Sequence, residues 1–228
     1  MNMKIKPKTK LKAAAVLIIA FIYLSALSWA AVEAGGICGN EDCRYGSEWG
    51  RCCRSIGAIT REECFIDENG EPARGFEITD VRPGDVFLTA STHTLFWRHG
   101  HAAIVTDTEP LRTLEAEVLG TRSRIVEEPV WERYTTFVQL RLKDEYGGEA
   151  AARAAAEYGK EKLTGCPYGF FCSKNTEKPS NIHCAFLVWT AYRNAGVDID
   201  ADGGIIVTPR DIMSSACFDT VMSLGIRR

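Results

Sequence analysis

The chain predicts an α+β fold on an antiparallel sheet, and three observations carry that prediction. Short segments rich in β-branched and alternating apolar residues follow one another from Val86 to Leu142, punctuated by Gly, Pro and Asp. Two stretches with helical character come only afterwards, at 147–165 and 184–195. Strands in succession with helices grouped behind them define this class rather than an alternating parallel one. The composition, 46% hydrophobic and 25% charged, is that of an ordinary globular domain with a core.

The amino terminus comes first. "MNMKIKPKTKLK" is lysine-rich and carries no acid, and Ala13 to Ala30 is apolar. Small residues follow at Ser28, Ala30 and Ala34, the order of an export signal with its cleavage site. An uncleaved anchor with the body outside fits the same residues, because a stretch of this length can span a bilayer. Residues 1–34 are therefore read as signal peptide or single membrane anchor, and both readings export the body.

Export changes the meaning of the nine cysteines. Cys38, Cys43, Cys52, Cys53 and Cys64 crowd into a polar stretch too poor in apolar residues for its own core, so 35–75 reads as a disulfide-stapled segment. Cys166, Cys172, Cys184 and Cys217 lie in the body, 76–228. Nine is odd, so one thiol is expected to stay unpaired unless chains pair covalently.

Within the body, "DVRPGDVFLTAS" is a Pro-Gly-Asp turn entering a strand, and "HAAIVTD" is a second strand. "RTLEAEVLG" (112–120) alternates, with Glu115 and Glu117 on one face and Leu114, Ala116 and Val118 on the other. "RIVEEPV" and "TTFVQLRL" complete the run of strands. "GGEAAARAAAEYGKEKLTG" is an alanine-rich helix ending at glycine. The last helix follows the loop "CPYGFFCSKNTEKPSN". It repeats apolar residues at Cys184, Leu187, Val188, Ala191, Tyr192 and Ala195 and stops at Gly196, with Ser180 and Asn181 as candidate caps.

Cys184 thus stands on the first turn of a helix. Unsatisfied amides there favour an anion, lower a thiol pKa and can hold a developing oxyanion. Read from this segment alone, a buried or bridged structural cysteine is the simpler account. A nucleophile also needs a base and an orienting group. Of the histidines His93, His99, His101 and His183, the last is adjacent to the cysteine and about 100° away around a helix, a poor geometry for a base. His101 opens a strand beside Gly100, and Glu115 or Glu117 on a neighbouring strand could hold its far nitrogen.

At these residues the chain resembles a known family. "RPGDVFLT", "GHAAIVTD", "LEAEVLG", "PYGFF", "HCAFLVWTAYRNAGVDID" and "TPRDIMSS", in that order, are similar to the motifs of the permuted papain-fold amidases of the YiiX/YaeF type. That family is related to NlpC-type cell-wall peptidases and to lecithin:retinol acyltransferases. The resemblance covers roughly residues 80 to 215. It implies a permuted papain-like fold in which His101 is the base, Cys184 the nucleophile, Glu115 the acidic partner and Tyr168 the loop tyrosine at the substrate. Thr208 to Asp211 match the terminal motif. Ala185 stands where the family usually has serine, and His183 where it usually has an aromatic residue.

The expected function is an exported cysteine hydrolase of amide bonds. A cell-wall-type peptide is the first substrate class, and an acylated lipid handled by a hydrolase or acyltransferase of the same fold is the second. A disulfide-tethered binding module without chemistry is the rival reading. No metal or organic cofactor is implied. A net charge of −3 argues against nucleic acid as a partner. Oligomeric state is left open.

Overall fold

The structure is a computed structural model that describes residues 60–94, 98–118, 120–127, 130–170, 172–174 and 179–226. The export segment and Cys38, Cys43, Cys52 and Cys53 lie outside them. Among the described residues no helix is long and apolar enough to cross a membrane.

The architecture is α+β. Strands β1 (Thr60–Glu62) and β3 (Thr92–Thr94) form a small antiparallel pair. Six further strands make the main sheet: β2 (Val86–Thr89), β4 (His101–Thr108), β5 (Leu111–Glu115), β6 (Arg124–Val126), β7 (Phe137–Leu142) and β8 (Phe218–Leu224). Their spatial order is β6-β5-β4-β2-β7-β8, and every neighbouring pair is antiparallel. Helix α1 (Gly148–Tyr158) runs into a π-helical turn at Gly159–Leu163, and α2 (Cys184–Asn194) and α3 (Pro209–Ser214) follow.

Side-chain alternation along the central strands builds two cores. Val86, Leu88, Ala102, Ile104, Leu114, Val138 and Leu140 face the helices, whereas Phe87, Ala103, Val105 and Phe137 face Trp131 and Tyr134. Helix α2 is buried on nearly every side from Cys184 to Tyr192, not along a single stripe, because it packs on both α1 and β4. The glycine of the Pro-Gly-Asp turn is forced. Gly84 has φ +90°, and a Cβ there would lie 2.3 Å from the Ala152 carbonyl oxygen of α1. The Tyr192 hydroxyl of α2 donates to the Gly84 carbonyl, so this turn ties both helices to the sheet.

Two local expectations are corrected. Strand β5 ends at Glu115 rather than running on to 120, and beyond it Glu117 leaves the ladder to pair with Arg124 at 2.8 Å. The N-cap of α2 is His183, not Ser180 or Asn181; its ring accepts from the Phe186 N–H. Strand β8 is an edge strand with a register shift opposite Gln139 and Leu140.

The segment from 60 to 75 pairs with the body through β1, a Cys64–Tyr134 bridge and the Phe65 N–H bond to the Arg133 carbonyl. Cys64, Cys166, Cys172, Cys184 and Cys217 carry free thiols. The bridges expected at the amino-terminal end involve cysteines outside the described residues. In the body, each sulfur besides Cys184 is turned to its own acceptor: Cys166 to the Lys162 carbonyl, Cys172 to Gly169 and Asn181, and Cys217 to the Asp198 carbonyl.

Candidate functional site

His101 is placed by backbone sterics. Gly100 has φ +72°, and a Cβ on it would sit 2.6 Å from the Thr89 carbonyl oxygen, so only glycine lets the chain turn this tightly into β4. His101 then pairs with Thr89 as the first residue of the strand, at the end of the sheet. Its ring stacks on Trp131, with centroids 5.4 Å apart and planes 11° from parallel. Its Nε2 meets Glu115 Oε2 at 2.9 Å.

Glu115 is buried and saturated with donors. Trp131 Nε1 donates to Oε1 at 2.8 Å and the Thr113 hydroxyl donates to the same oxygen. Burial pushes the carboxyl pKa up, but the hydrogen bond and charge of His101, with Thr113 and Trp131, outweigh it and hold the pKa below its ordinary value. With Oε1 occupied, Oε2 is left to accept from His101 Nε2–H. That assignment leaves the other ring nitrogen, Nδ1, for Cys184, whose side chain helps raise the His101 pKa.

Cys184 opens α2, and its pKa is lowered to about 5. Burial alone would raise it; hydrogen bonds from His101 and His183 and the charges on both rings reverse the sign. The converse holds for His101. Burial opposes its positive form, yet Cys184 and Glu115 lift its pKa well above the ordinary histidine value. The two shifts describe one thiolate–imidazolium pair backed by a carboxylate. Cys172 shows what the same surroundings do to a thiol without such partners: burial pushes it up to about 12.

The structure therefore brings Cys184, His101 and Glu115 together, and it gives Glu115 rather than Glu117 the place beside His101. Tyr168 is buried, edge-on to Phe170 at 5.4 Å, and its strand bridge to Ile182 sets it against the entry to α2. Burial and the nearby Cys184 and Cys172 raise its phenol pKa. His99 turns its Nδ1 to the Gly100 carbonyl at 2.8 Å, and His93 faces Glu63 at 3.9 Å. Sequence reasoning missed Trp131 and Thr113 altogether and set His183 aside. Trp131 comes from a 3-10 turn, Val130–Arg133, that no motif marks.

Two other features lie apart from these residues. A surface pocket of about 450 Å³ is lined by Asp107, Arg112, Arg124, Ile125, Val126, Glu127 and Lys160. Its charges are paired: Lys160 with Asp107, Arg112 with Glu127, and Arg124 with Glu117. Asp200, Asp202 and Asp211 bring carboxylate oxygens within 4.8 Å of one another. The Lys174 ammonium, bonded to Asp200 and to the Gly204 carbonyl, already supplies a positive charge there, and Asp211 is engaged in the capping box of α3.

An α+β domain with a buried Cys–His–Glu cluster at a helix start is the class that fold and geometry define. Comparison with known proteins adds similarity on that background. No family model matches the chain. The uncharacterised protein YycO of Bacillus subtilis (strain 168) is 29% identical over 148 residues, 62% of this chain, so the chain matches 56% of that relative's length. The crystal structure of the metalloprotein YiiX from Escherichia coli O157:H7 aligns with 62% of this chain and 96% of its own, at 17% identity and a TM-score of 0.46.

Proposed function

We propose that the protein is a cysteine hydrolase of permuted papain-like fold that cleaves amide bonds, with cell-wall-type peptides as substrates. The observation that carries this reading is the His101 ring held between the Glu115 carboxylate and the Cys184 thiol, with that thiol's pKa lowered to about 5. A buried structural cysteine is driven the other way, as Cys172 is.

In the proposed reaction the Cys184 thiolate attacks the substrate carbonyl carbon. The Phe186 amide is engaged by His183, which leaves the first-turn amides of Cys184 and Ala185 to receive the oxyanion. His101 gives its proton to the departing amine as the C–N bond breaks, leaving a thioester on Cys184. Water, deprotonated by His101, then hydrolyses that thioester and restores the pair. Glu115 orients the ring and exchanges no proton. Tyr168, matched by resemblance to the family's loop tyrosine, sits beside the entry to α2 on the substrate side. The lysine-rich and apolar amino terminus would deliver this chemistry outside the cytoplasm.

The test is amine release from short cell-wall-type peptides by the purified chain, run beside Cys184→Ala. Turnover that disappears in the variant supports the proposal. Equal turnover by both proteins sinks it. Cleavage of acyl esters with amides untouched would move the assignment to the acyl-hydrolase branch of the same fold.

A further inference from the structure

We propose that Glu132 is a positioning residue for the His101–Glu115 pair: gripped by Arg74, it clamps the turn that carries Trp131, and Trp131 holds both members of the pair. The inference rests on the reading of those two residues as base and orienting carboxylate.

Trp131 needs such a clamp. It belongs to a four-residue 3-10 turn, Val130–Arg133, and a turn this short has little stability of its own. Its indole nevertheless makes two exacting contacts at once. It stacks on the His101 ring with centroids 5.4 Å apart, and its Nε1–H donates to Glu115 Oε1 at 2.8 Å. Phe87 and Tyr134 meet it edge-on at 5.6 and 5.5 Å, contacts that tolerate a broad range of offsets. A hydrogen bond tolerates far less.

The clamp is the next residue in the chain. Glu132 is 5% exposed. A terminal N–H of Arg74 donates to Oε1 at 2.9 Å, the Arg74 Nε lies 2.7 Å from Oε2, and the Ile78 N–H donates to Oε1 at 2.9 Å. The Glu132 carbonyl accepts the Gly75 N–H, also at 2.9 Å. Backbone and side chain of one residue are thus both held from the stretch 74–78. Gly75 reaches this place because it has no side chain: a Cβ there would fall 1.9 Å from the Phe65 ring. The Phe65 N–H in turn donates to the Arg133 carbonyl at 2.7 Å, which fixes the end of the turn.

Nothing in the proposed reaction uses the Glu132 charge, and burying a carboxylate is costly. What it supplies is orientation, since a planar guanidinium in contact with both oxygens sets the direction of the side chain. Arg74 and Gly75, which on the sequence close the cysteine-rich segment, therefore serve the site.

The Arg74 side chain is 57% exposed, so it can be changed without cutting into a core. The test follows the Trp131 indole N–H by NMR in the full chain, assigned by its loss in Trp131→Phe, beside the pH profile of Cys184 alkylation by iodoacetamide. In Arg74→Met the indole N–H should exchange with solvent roughly tenfold faster, as a local opening would make it. The alkaline limit of alkylation should move in the same direction as in Trp131→Phe. In the double variant it should stand where Trp131→Phe alone puts it, because both changes act through one ring. Glu132→Gln keeps an acceptor for the Ile78 N–H and should fall between wild type and Arg74→Met. If Arg74→Met does not fold, Glu132→Gln decides by the same two readouts. Unchanged exchange and profile beside a lower thermal midpoint would show that Arg74 and Glu132 only stabilise the fold, and would overturn the proposal. So would a shift of the alkaline limit that persists in full without Trp131. No substrate enters the assay, so absence of amide turnover would sink the hydrolase reading and leave the positioning of His101 and Glu115 standing.

Discussion

Asp85 and Glu115 are two carboxylates buried in one sheet, and they are satisfied in opposite ways. Asp85, in the Pro-Gly-Asp turn, takes two bonds from Arg141, at 3.0 and 2.8 Å, one from Gln139 at 2.8 Å and one from the Arg82 N–H at 2.9 Å. Its cationic partner is a guanidinium, which stays charged at every accessible pH and which Asp85, first among its partners, stabilises further. Glu115 takes Trp131, Thr113 and an imidazole. Its cationic partner titrates, and beyond that partner lies a thiol. A carboxylate locked to arginine holds a fold together. A carboxylate holding a histidine between itself and a sulfur can support a reaction.

The largest effects should fall at the far end of the second cluster. Cys184→Ala should abolish hydrolysis, and His101→Ala should cost nearly as much, each on the order of a thousandfold or more in kcat/KM. Cys184→Ala should unfold cooperatively near the wild-type temperature, whereas His101→Ala leaves the buried Glu115 without its cationic partner and should unfold at a lower one. A Cys184→Ala protein that keeps its turnover would make the second cluster no different in kind from the first.

Asp85→Ala should do the reverse. It removes one of the two carboxylates that hold Arg141, which keeps Asp80 at 2.7 Å, and one of the two acceptors of the buried Gln139 amide, which keeps the Asp80 carbonyl at 3.0 Å. The loss should be about 1–3 kcal/mol. Chemical denaturation should show that loss, while the fraction that remains folded alkylates at Cys184 with the wild-type pH midpoint. A shifted midpoint with unchanged stability would reverse the roles given to the two carboxylates.

The same contrast explains what the sequence could and could not say. The Pro-Gly-Asp and Thr-Pro-Arg-Asp motifs are legible because they are local. Gly84 is forced by contact with Ala152, and Thr208 with Asp211 closes a capping box on α3. His101, Cys184 and the Glu115–Glu117 pair stand out as candidates from strand entry, helix start and strand face. It is the resemblance, not these local signals, that chooses His101, Cys184 and Glu115 among them. Their meeting is a tertiary fact. The choice of Glu115 over Glu117 depends on where β5 leaves the ladder, and the Trp131 stack depends on a turn with no signature of its own. His183 was judged by ideal helix geometry, but as N-cap it has extended backbone and so escapes the 100° spacing used to dismiss it.

Next in size is Glu115→Gln, with a loss in kcat/KM of roughly a hundredfold. The Glu115 pKa is lowered in the fold, so its stabilising contribution is present above the unfolded carboxyl value and is lost as pH falls through the folded one. The His101 pKa is raised, so its contribution is complete below the unfolded value of 6.5 and is lost as pH rises through the folded one. Without the carboxylate, His101 should give up its proton at lower pH. The thiolate–imidazolium window, which opens near the Cys184 value of about 5, should then close earlier on its alkaline side. An alkaline limit that stays put would mean that Cys184 alone sustains the charge on His101.

The smallest effect tests the support behind Glu115. Trp131→Phe keeps an aromatic face for His101 and an edge contact for Phe87, now 5.6 Å from the indole, but deletes the Nε1–H bond to Glu115 Oε1. Thr113 still donates to that oxygen, so the carboxylate is weakened rather than stranded. The loss should be about 1 kcal/mol, at the modest end for hydrogen bonds to charged groups, or a fall of roughly 2–4 °C in Tm for a chain of this size. Activity should drop by no more than about tenfold, because one lost donor of that strength changes a rate by about that factor. The direction of the pH effect separates this variant from Glu115→Gln. Losing a donor makes the carboxylate a stronger acceptor for His101 Nε2–H, so the His101 pKa should rise slightly and the alkaline limit move up. An alkaline limit that moves down instead would show that Trp131 acts chiefly by stacking on the imidazolium, and the second cluster would then be held by its aromatic wall more than by its hydrogen bonds.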